Sequence, residues 1–190
     1  MADTVRTFIA IELPEPVRER LAGLQAKLRD TCNRVRWVRP DRMHLTLVFL
    51  GGVPVDMLET LEAEVRAAII GCGPLRLEVG GAGQFPPHGK PNVVWAAMEE
   101  PTGGLARLQG AIADATGAFA EKVDKRPYAP HITLGRVHER KGLQRLSAAI
   151  DVLARERGPA FEAREVVVMK SDLAPEGPVY TPLARLPFSG

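Results

Sequence analysis

Two short segments of the chain each place a threonine two residues after a histidine. His44 and Thr46 lie in the segment HLTLVFLG, and His131 and Thr133 lie in the segment HITLGRVH, 87 residues further along the chain. One such pattern is weak evidence, because a single histidine on a strand is more often a packed or surface residue. Two copies separated by nearly half of the chain favour a duplicated unit in which both histidines serve one task.

Two imidazoles that flank one substrate could supply both proton transfers of a displacement at phosphorus. Opening a cyclic phosphodiester needs a base for the attacking water and an acid for the departing sugar oxygen. The two oxygens lie roughly in line on opposite sides of the phosphorus, so the base and the acid have to face each other across it. Because the unperturbed imidazole pKa is about 6.5, one ring can be neutral while the other is protonated near pH 7. A hydroxyl beside each ring could donate a hydrogen bond to a non-bridging phosphate oxygen.

The repeat could instead reflect a structural pair of strands or a metal site. The metal site is disfavoured because no Asp, Glu or Cys lies at ligand spacing from either histidine. We therefore predict acid–base catalysis without a metal or another cofactor.

Each motif has the alternation of a strand with one buried face. Side chains alternate between the two faces of a strand, so His44 and Thr46 share one face while Leu45 and Leu47 point to the other. The second copy repeats this arrangement. We expect each motif strand to contact the core with its aliphatic face and to line a polar cleft with the other.

The rest of the chain alternates strands with amphipathic helices and contains no linker long enough to separate domains. This pattern predicts an α+β fold and one domain over residues 1–190, built from two pseudo-symmetric lobes. Predicted strands cover residues 6–13, 35–38, 44–50 (ended by Gly51 and Gly52), 75–79, 92–98, 131–137, 165–171 and 180–186. Helices are predicted from residues 14–16 through Leu28, and over 55–70, 105–120 and 143–155, with a loop over 80–91.

The composition is that of an ordinary globular protein with 190 residues, 45% hydrophobic residues and a formal net charge of +2. Cys32 and Cys72 do not form a zinc or disulfide pattern, and no segment predicts a signal peptide or a membrane span, so a cytoplasmic protein is expected. Basic residues gather around the two motifs, which favours a path for the phosphates of a nucleic acid. They are Arg34, Arg36, Arg39, Arg42, Lys122, Lys125, Arg126, Arg136, Arg140 and Lys141.

At the two motifs the chain resembles the two-histidine phosphoesterase superfamily. Within it, the chain is similar to the LigT-like RNA 2′,3′-cyclic phosphodiesterases, also called 2′-5′ RNA ligases. The resemblance extends over nearly the whole chain, through the segments RTFIAIELP, RPDRMHLTLVFLG, GQFPPHGKPNVVWAAM, RPYAPHITLGR and LAPEGPVYTPLARLPF. It implies two antiparallel sheets that line a central cleft, with helices on the outside.

The resemblance also implies a role for each motif residue. His44 matches the general acid that protonates the departing 3′ oxygen, and His131 matches the base that activates water, which would leave a 2′-phosphate. Thr46 and Thr133 match phosphate-contacting threonines. At the position five residues after each histidine, Phe49 matches an aromatic that stacks on a base and Arg136 matches an arginine near the phosphate.

The implied partners are RNA with 2′,3′-cyclic phosphate or 2′-phosphate ends, and nucleotides, for a monomer that binds no membrane. Ligation is the reverse of the same chemistry, with an RNA 5′-hydroxyl in place of water, so the motif residues leave both directions open. Two alternatives remain: a phosphodiesterase for a small cyclic nucleotide, and a non-catalytic module that binds RNA ends. The complete acid–base pair disfavours the latter, because a binding module does not need it.

Overall fold

The computed structural model describes residues 3–122, 126–139 and 141–190, so Lys125 and Arg140 lie outside the described residues. This part of the chain folds into nine strands and four α-helices. In chain order they are β1 (Thr4–Glu12), α1 (Glu15–Arg29), β2 (Val35–Trp37), β3 (His44–Pro54), α2 (Leu58–Ala68), β4 (Leu75–Phe85), β5 (Val93–Glu99), α3 (Gly104–Thr116), β6 (His131–Val137), α4 (Gln144–Leu153), β7 (Ala160–Ala163), β8 (Glu165–Asp172) and β9 (Val179–Pro187).

The strands form two sheets in which every pair is antiparallel. One sheet has the order β3-β1-β8-β9 and the other has the order β2-β6-β5-β4-β7. When the additional strand β2 is left out, each order begins with a strand that carries a His-x-Thr motif, β3 in one sheet and β6 in the other. The strands then correspond one to one: β3 to β6, β1 to β5, β8 to β4 and β9 to β7. This correspondence confirms the predicted α+β fold with two pseudo-symmetric lobes.

One continuous apolar core joins both sheets to the helices. Helix α1 contributes Val17, Leu21, Leu24 and Leu28, the positions that its periodicity predicts, and Pro16 in its first turn does not interrupt its hydrogen bonds. Burying each of these side chains is worth about 1.5–3 kcal/mol relative to leaving it exposed. No helix among the described residues is long and apolar enough to cross a membrane.

Three predictions about the strands are wrong. Strand β3 does not end at the two glycines but continues to Pro54, since Gly51 takes a positive φ of 84° that a glycine adopts without strain. Strand β4 continues through Gly80–Phe85 of the predicted loop, and only residues 86–92 connect it to β5. Strand β7, four residues long, is absent from the predicted elements.

Two of the predicted helices are partly 3₁₀ turns. The segment predicted as a helix from residue 55 begins with a 3₁₀ turn, Val55–Met57, before α2. Helix α3 ends at Thr116 and is followed by a second 3₁₀ turn, Gly117–Phe119. Both changes lie at helix ends, where the intrahelical hydrogen bonds are incomplete.

Candidate active site

The two motif strands have the predicted alternation of burial. Leu45 and Leu47 are buried in the core while His44 and Thr46 are partly exposed, and β6 repeats the pattern from His131. We call the face of each sheet that carries the histidine and the threonine its motif face.

A β-bulge interrupts β3 directly after its His-x-Thr motif. Thr46 lies opposite Ala10 of β1, and Val48 lies opposite Ile9, the next residue along β1. Leu47 is therefore an extra residue without a partner of its own, which reverses the alternation of the side chains beyond it.

Strand β6 has a bulge at the equivalent place. Thr133 lies opposite Trp95 of β5, and Gly135 lies opposite Val94. Leu134 is the extra residue here, three positions after the histidine as Leu47 is in β3.

The two bulges determine where the residue five positions after each histidine points. In a regular strand an odd spacing would place this residue on the face opposite the histidine. The bulge brings Phe49 back to the motif face, where it lies opposite Phe8, whose ring stacks on His44 at a centroid distance of 4.7 Å. Arg136 is returned to the motif face of β6 in the same way, and the structure thus groups both predicted residues with their histidines.

Each imidazole has one ring nitrogen fixed by the backbone. Nδ1 of His44 lies 3.0 Å from the carbonyl oxygen of Arg42, and Nδ1 of His131 lies 2.7 Å from that of Ala129. A carbonyl only accepts hydrogen bonds, so Nδ1 carries the proton in both rings. In the neutral ring Nε2 then has a free lone pair, and in the protonated ring it can donate a proton to a substrate.

Aromatic side chains surround the imidazole in both lobes, although they come from non-equivalent positions. Tyr180 of β9 makes an edge contact with His44 at 5.0 Å, next to the stacked ring of Phe8. Phe85 makes an edge contact with His131 at 4.9 Å. These rings fix the orientation of both imidazoles, and the sequence pattern does not identify Phe8 or Tyr180 as neighbours of the site.

Burial lowers the pKa of both histidines below the usual value of 6.5, because desolvation disfavours the protonated ring. For His44 the carbonyl of Arg42 and the negative charge of Glu12 oppose this effect. For His131 the carbonyl of Ala129 opposes it, while the charges of Arg136 and Arg126 add to it. The charged groups near the two rings therefore have opposite signs: an acid acts on His44, and arginines act on His131.

Arg136 connects the two motifs electrostatically. Its charge lowers the pKa of His131, and the same charge opposes the rise that burial causes in the pKa of Tyr180, the tyrosine that contacts His44. Strands β3 and β6 contain residue pairs with Cα atoms within 8 Å of each other. The hydroxyl of Tyr128, just before β6, also donates a 3.1 Å hydrogen bond to the carbonyl of Thr46.

The side chains predicted to bind phosphate have polar groups without a partner among the described residues. In the part of the chain that the structure describes, the hydroxyls of Thr46 and Thr133 form no hydrogen bond, and the guanidinium of Arg136 forms neither a hydrogen bond nor an ion pair. Polar groups left free on one face are available to a ligand.

Three of the other basic residues near the motifs are engaged elsewhere. Arg34 pairs with Glu139, Arg39 pairs with Asp41, and Arg42 donates to the carbonyl of Glu176. His88 and His138, which have no predicted role, are exposed. No group of three metal-ligating side chains was found among residues 3–122, 126–139 and 141–190.

Comparison with known proteins places this geometry in a family. The family model for LigT like Phosphoesterase matches residues 11–95 and again residues 96–180, one motif in each match. An RNA 2′,3′-cyclic phosphodiesterase of Methanothermobacter thermautotrophicus is 32% identical over 93% of this chain and 95% of its own length. Another, from Thermus thermophilus, is 34% identical over 98% of this chain and 91% of its own length.

Solved structures show the same fold. The crystal structure of TT0787 from Thermus thermophilus superposes with a TM-score of 0.80 at 30% identity, covering 96% of this chain and 97% of that protein. E. coli LigT in complex with 3′-AMP superposes with a TM-score of 0.78 at 26% identity, covering 98% and 99% of the two chains. With a duplicated match over most of its length and relatives of the same size, the chain belongs to the LigT-like phosphoesterase family.

Proposed function

We propose that the protein is an RNA 2′,3′-cyclic phosphodiesterase that leaves 2′-phosphate ends, using His44 and His131 as its acid–base pair. One observation carries the proposal. Both imidazoles bind a backbone carbonyl through Nδ1, and Nε2 of each has no hydrogen bond to any described residue. The two histidines lie on β3 and β6, which belong to different sheets and approach each other. The names of the relatives support RNA with a 2′,3′-cyclic phosphate as the substrate.

In the proposed reaction His131 is the base and His44 is the acid. Nε2 of His131 takes a proton from water as the water oxygen forms a bond to phosphorus. The bond between phosphorus and the 3′ oxygen breaks, and Nε2 of His44 protonates that oxygen, which gives a 3′-hydroxyl and a 2′-phosphate. Proton exchange with solvent then restores both rings.

The remaining motif residues would hold the substrate. We assign the hydroxyls of Thr46 and Thr133 and the guanidinium of Arg136 to the non-bridging oxygens, where they stabilise charge in the transition state. Phe49 would stack on the terminal base. Phe49 is 47% exposed as a residue, and the Arg6 guanidinium covers one side of its ring at 4.6 Å, so a base could occupy the other side.

A small cyclic nucleotide is a second candidate substrate. E. coli LigT was solved with 3′-AMP, with ATP and with NADP⁺, which supports nucleotide binding in this fold. Ligation by the reverse reaction uses the same residues. A module that only binds RNA ends is disfavoured, because both imidazoles keep a free Nε2.

The compartment and the oligomeric state are part of the proposal as well. Cys32 and Cys72 are free thiols, which supports a reducing compartment such as the cytoplasm. The monomeric state stays a prediction, and size-exclusion chromatography with light scattering would measure it.

The proposal is tested with an RNA oligomer that ends in a 2′,3′-cyclic phosphate, incubated with the protein in the presence and absence of EDTA. We expect turnover that survives chelation and a product with a 2′-phosphate, identified by mass spectrometry as the ring-opened monoester and by chromatography against 2′- and 3′-phosphorylated standards of the same oligomer. Loss of turnover on chelation would contradict the metal-free mechanism. A 3′-phosphate product would contradict the assignment of the departing oxygen.

A further inference from the structure

Arg36 and Arg136 lie directly opposite each other on the neighbouring strands β2 and β6. The pairs on either side of them, Val35 with Val137 and Trp37 with Gly135, face the apolar core. Because side chains alternate along a strand, both arginines point to the motif face of the sheet. Both are exposed.

Two like charges directly opposite each other in a sheet destabilise it unless a counter-ion lies between them. Several exposed arginines of this chain have an acidic partner, as Arg164 has Glu162 and Arg66 has Glu62. Among the described residues, neither Arg36 nor Arg136 has an ion pair or a side-chain hydrogen bond. The protein therefore presents two neighbouring, uncompensated guanidinium groups on the face that carries His131.

We propose that Arg36 binds a second phosphate of the substrate, the one attached to the 5′ oxygen of the terminal nucleotide. This inference rests on the proposed function, in which Arg136 contacts the cyclic phosphate. The cyclic phosphate and the 5′ phosphate are attached to the same ribose, so two adjacent guanidinium groups can each contact one of them. A guanidinium suits this task because it presents paired N–H donors to phosphate oxygens.

The subsite makes the enzyme selective for the length of its substrate. A cyclic mononucleotide with a free 5′-hydroxyl has no group for Arg36, whereas an RNA chain has a phosphodiester at that position. A cyclic mononucleotide with a 5′-phosphate would present the same chemistry without a chain. Comparison of the three substrates separates the chain from the isolated phosphate.

The experiment compares the wild type with Arg36→Gln on three substrates: adenosine 2′,3′-cyclic phosphate, its 5′-phosphorylated form, and a diadenylate that ends in a 2′,3′-cyclic phosphate. We expect the ratio of kcat/KM for the diadenylate to that for the unphosphorylated mononucleotide to fall roughly fivefold, the size expected for one exposed charge contact. The slope of log kcat/KM against log salt for the diadenylate should become shallower by about 0.7, the value for one phosphate contact on a single strand. If only the 5′-phosphorylated mononucleotide responds, the subsite recognises a terminal phosphate and the chain assignment is wrong.

Two further variants complete the test. Arg36→Lys keeps the charge and should retain most of the salt slope, while Arg145→Gln removes an exposed charge from α4, outside both motif strands, and should leave the ratio unchanged. An equal loss on all three substrates, or no change on any of them, would overturn the proposal. Equilibrium binding of a fluorescent diadenylate with a 2′-phosphate end measures the same contact without turnover, so a failure of the proposed hydrolysis is distinguishable from a failure of this subsite.

Discussion

The side-chain amide of Gln25 in α1 donates a 3.0 Å hydrogen bond to the carbonyl oxygen of Leu134, the extra residue in the bulge of β6. The same amide donates to the carbonyl of Val38 at 2.7 Å. In the other half Gln109 of α3 donates to the carbonyl of Leu47, the extra residue in the bulge of β3, at 3.4 Å. A glutamine from each half thus supports the bulge that orients the motif of the other half.

Replacing Gln25 with methionine should lower the free energy of unfolding by about 1–3 kcal/mol, because the carbonyl of Val38 loses the amide donor and the carbonyl of Leu134 keeps only the backbone N–H of Val38. Urea unfolding of both proteins measures the difference. Gln109→Met is the matched control, and its loss should stay below about 1 kcal/mol since this amide is partly exposed and its bond is longer. Equal losses of unfolding free energy in the two variants would contradict the expectation that the hydrogen bonds of Gln25 contribute more than that of Gln109.

The motif faces can be predicted from the sequence because one face of each strand has to be apolar. The bulges cannot, since they depend on the register against β1 and β5, and only Gly135 in the second copy hints at one. No role is predicted for Gln25 from the sequence, although this residue interrupts the apolar stripe of α1 between Leu24 and Leu28. A buried amide in such a stripe indicates a hydrogen bond to the backbone of a packed neighbour.

Non-local contacts account for most of the other differences. The pairing of Arg36 with Arg136 joins residues far apart in sequence, and no local pattern predicts it. The glycines over residues 80–85 predict a loop, but they lie in β4. Strand β4 has no room for a Cβ atom at these glycines, because the ring of Trp95 and the end of α4 pack against it. Strand β7 is too short for its alternation to be recognised.

Replacing either motif histidine with glutamine should lower kcat on the RNA oligomer by about 10²–10⁴-fold, the usual contribution of a general acid or base. Glutamine fills much of the space among the surrounding aromatic rings, so both variants should keep cooperative thermal unfolding. His88→Gln, an exposed histidine in the loop after β4, is the control and should retain the wild-type kcat. A near-wild-type rate for His44→Gln or His131→Gln would refute the role of that residue.

Glu12→Gln tests which histidine is the acid. Glu12 lies opposite His44 in the sheet and forms a 2.7 Å ion pair with Arg185, and its charge opposes the lowering of the His44 pKa by burial. Without that charge, and with Arg185 less compensated, the pKa of His44 should fall further. An acid must be protonated to act, so the alkaline limb of the kcat/KM profile should move to lower pH.

The acidic limb, which reports His131 as the base, should stay in place in Glu12→Gln, because Ala97 and not an acid lies opposite that residue. Glu162→Gln removes an acid that pairs with Arg164 on the edge strand β7, and it should leave both limbs unchanged. If Glu12→Gln moved the acidic limb and not the alkaline limb, the assignment of His44 as the acid and His131 as the base would be reversed.

Gly83→Ala should disturb the second motif without touching it. A Cβ atom at this position of β4 would collide with the ring of Trp95, which lies close to His131 at a centroid distance of 6.2 Å. We expect a loss of about 1–3 kcal/mol in the free energy of unfolding, typical of overpacking, together with a change in tryptophan fluorescence and a lower kcat/KM. Gly110→Ala is the control: nothing lies within 4 Å of its Cβ position in α3, and alanine should stabilise that helix by up to about 1 kcal/mol. If Gly83→Ala unfolds and turns over like the wild type, the packing of Trp95 on Gly83 does not hold the His131 side of the site in place.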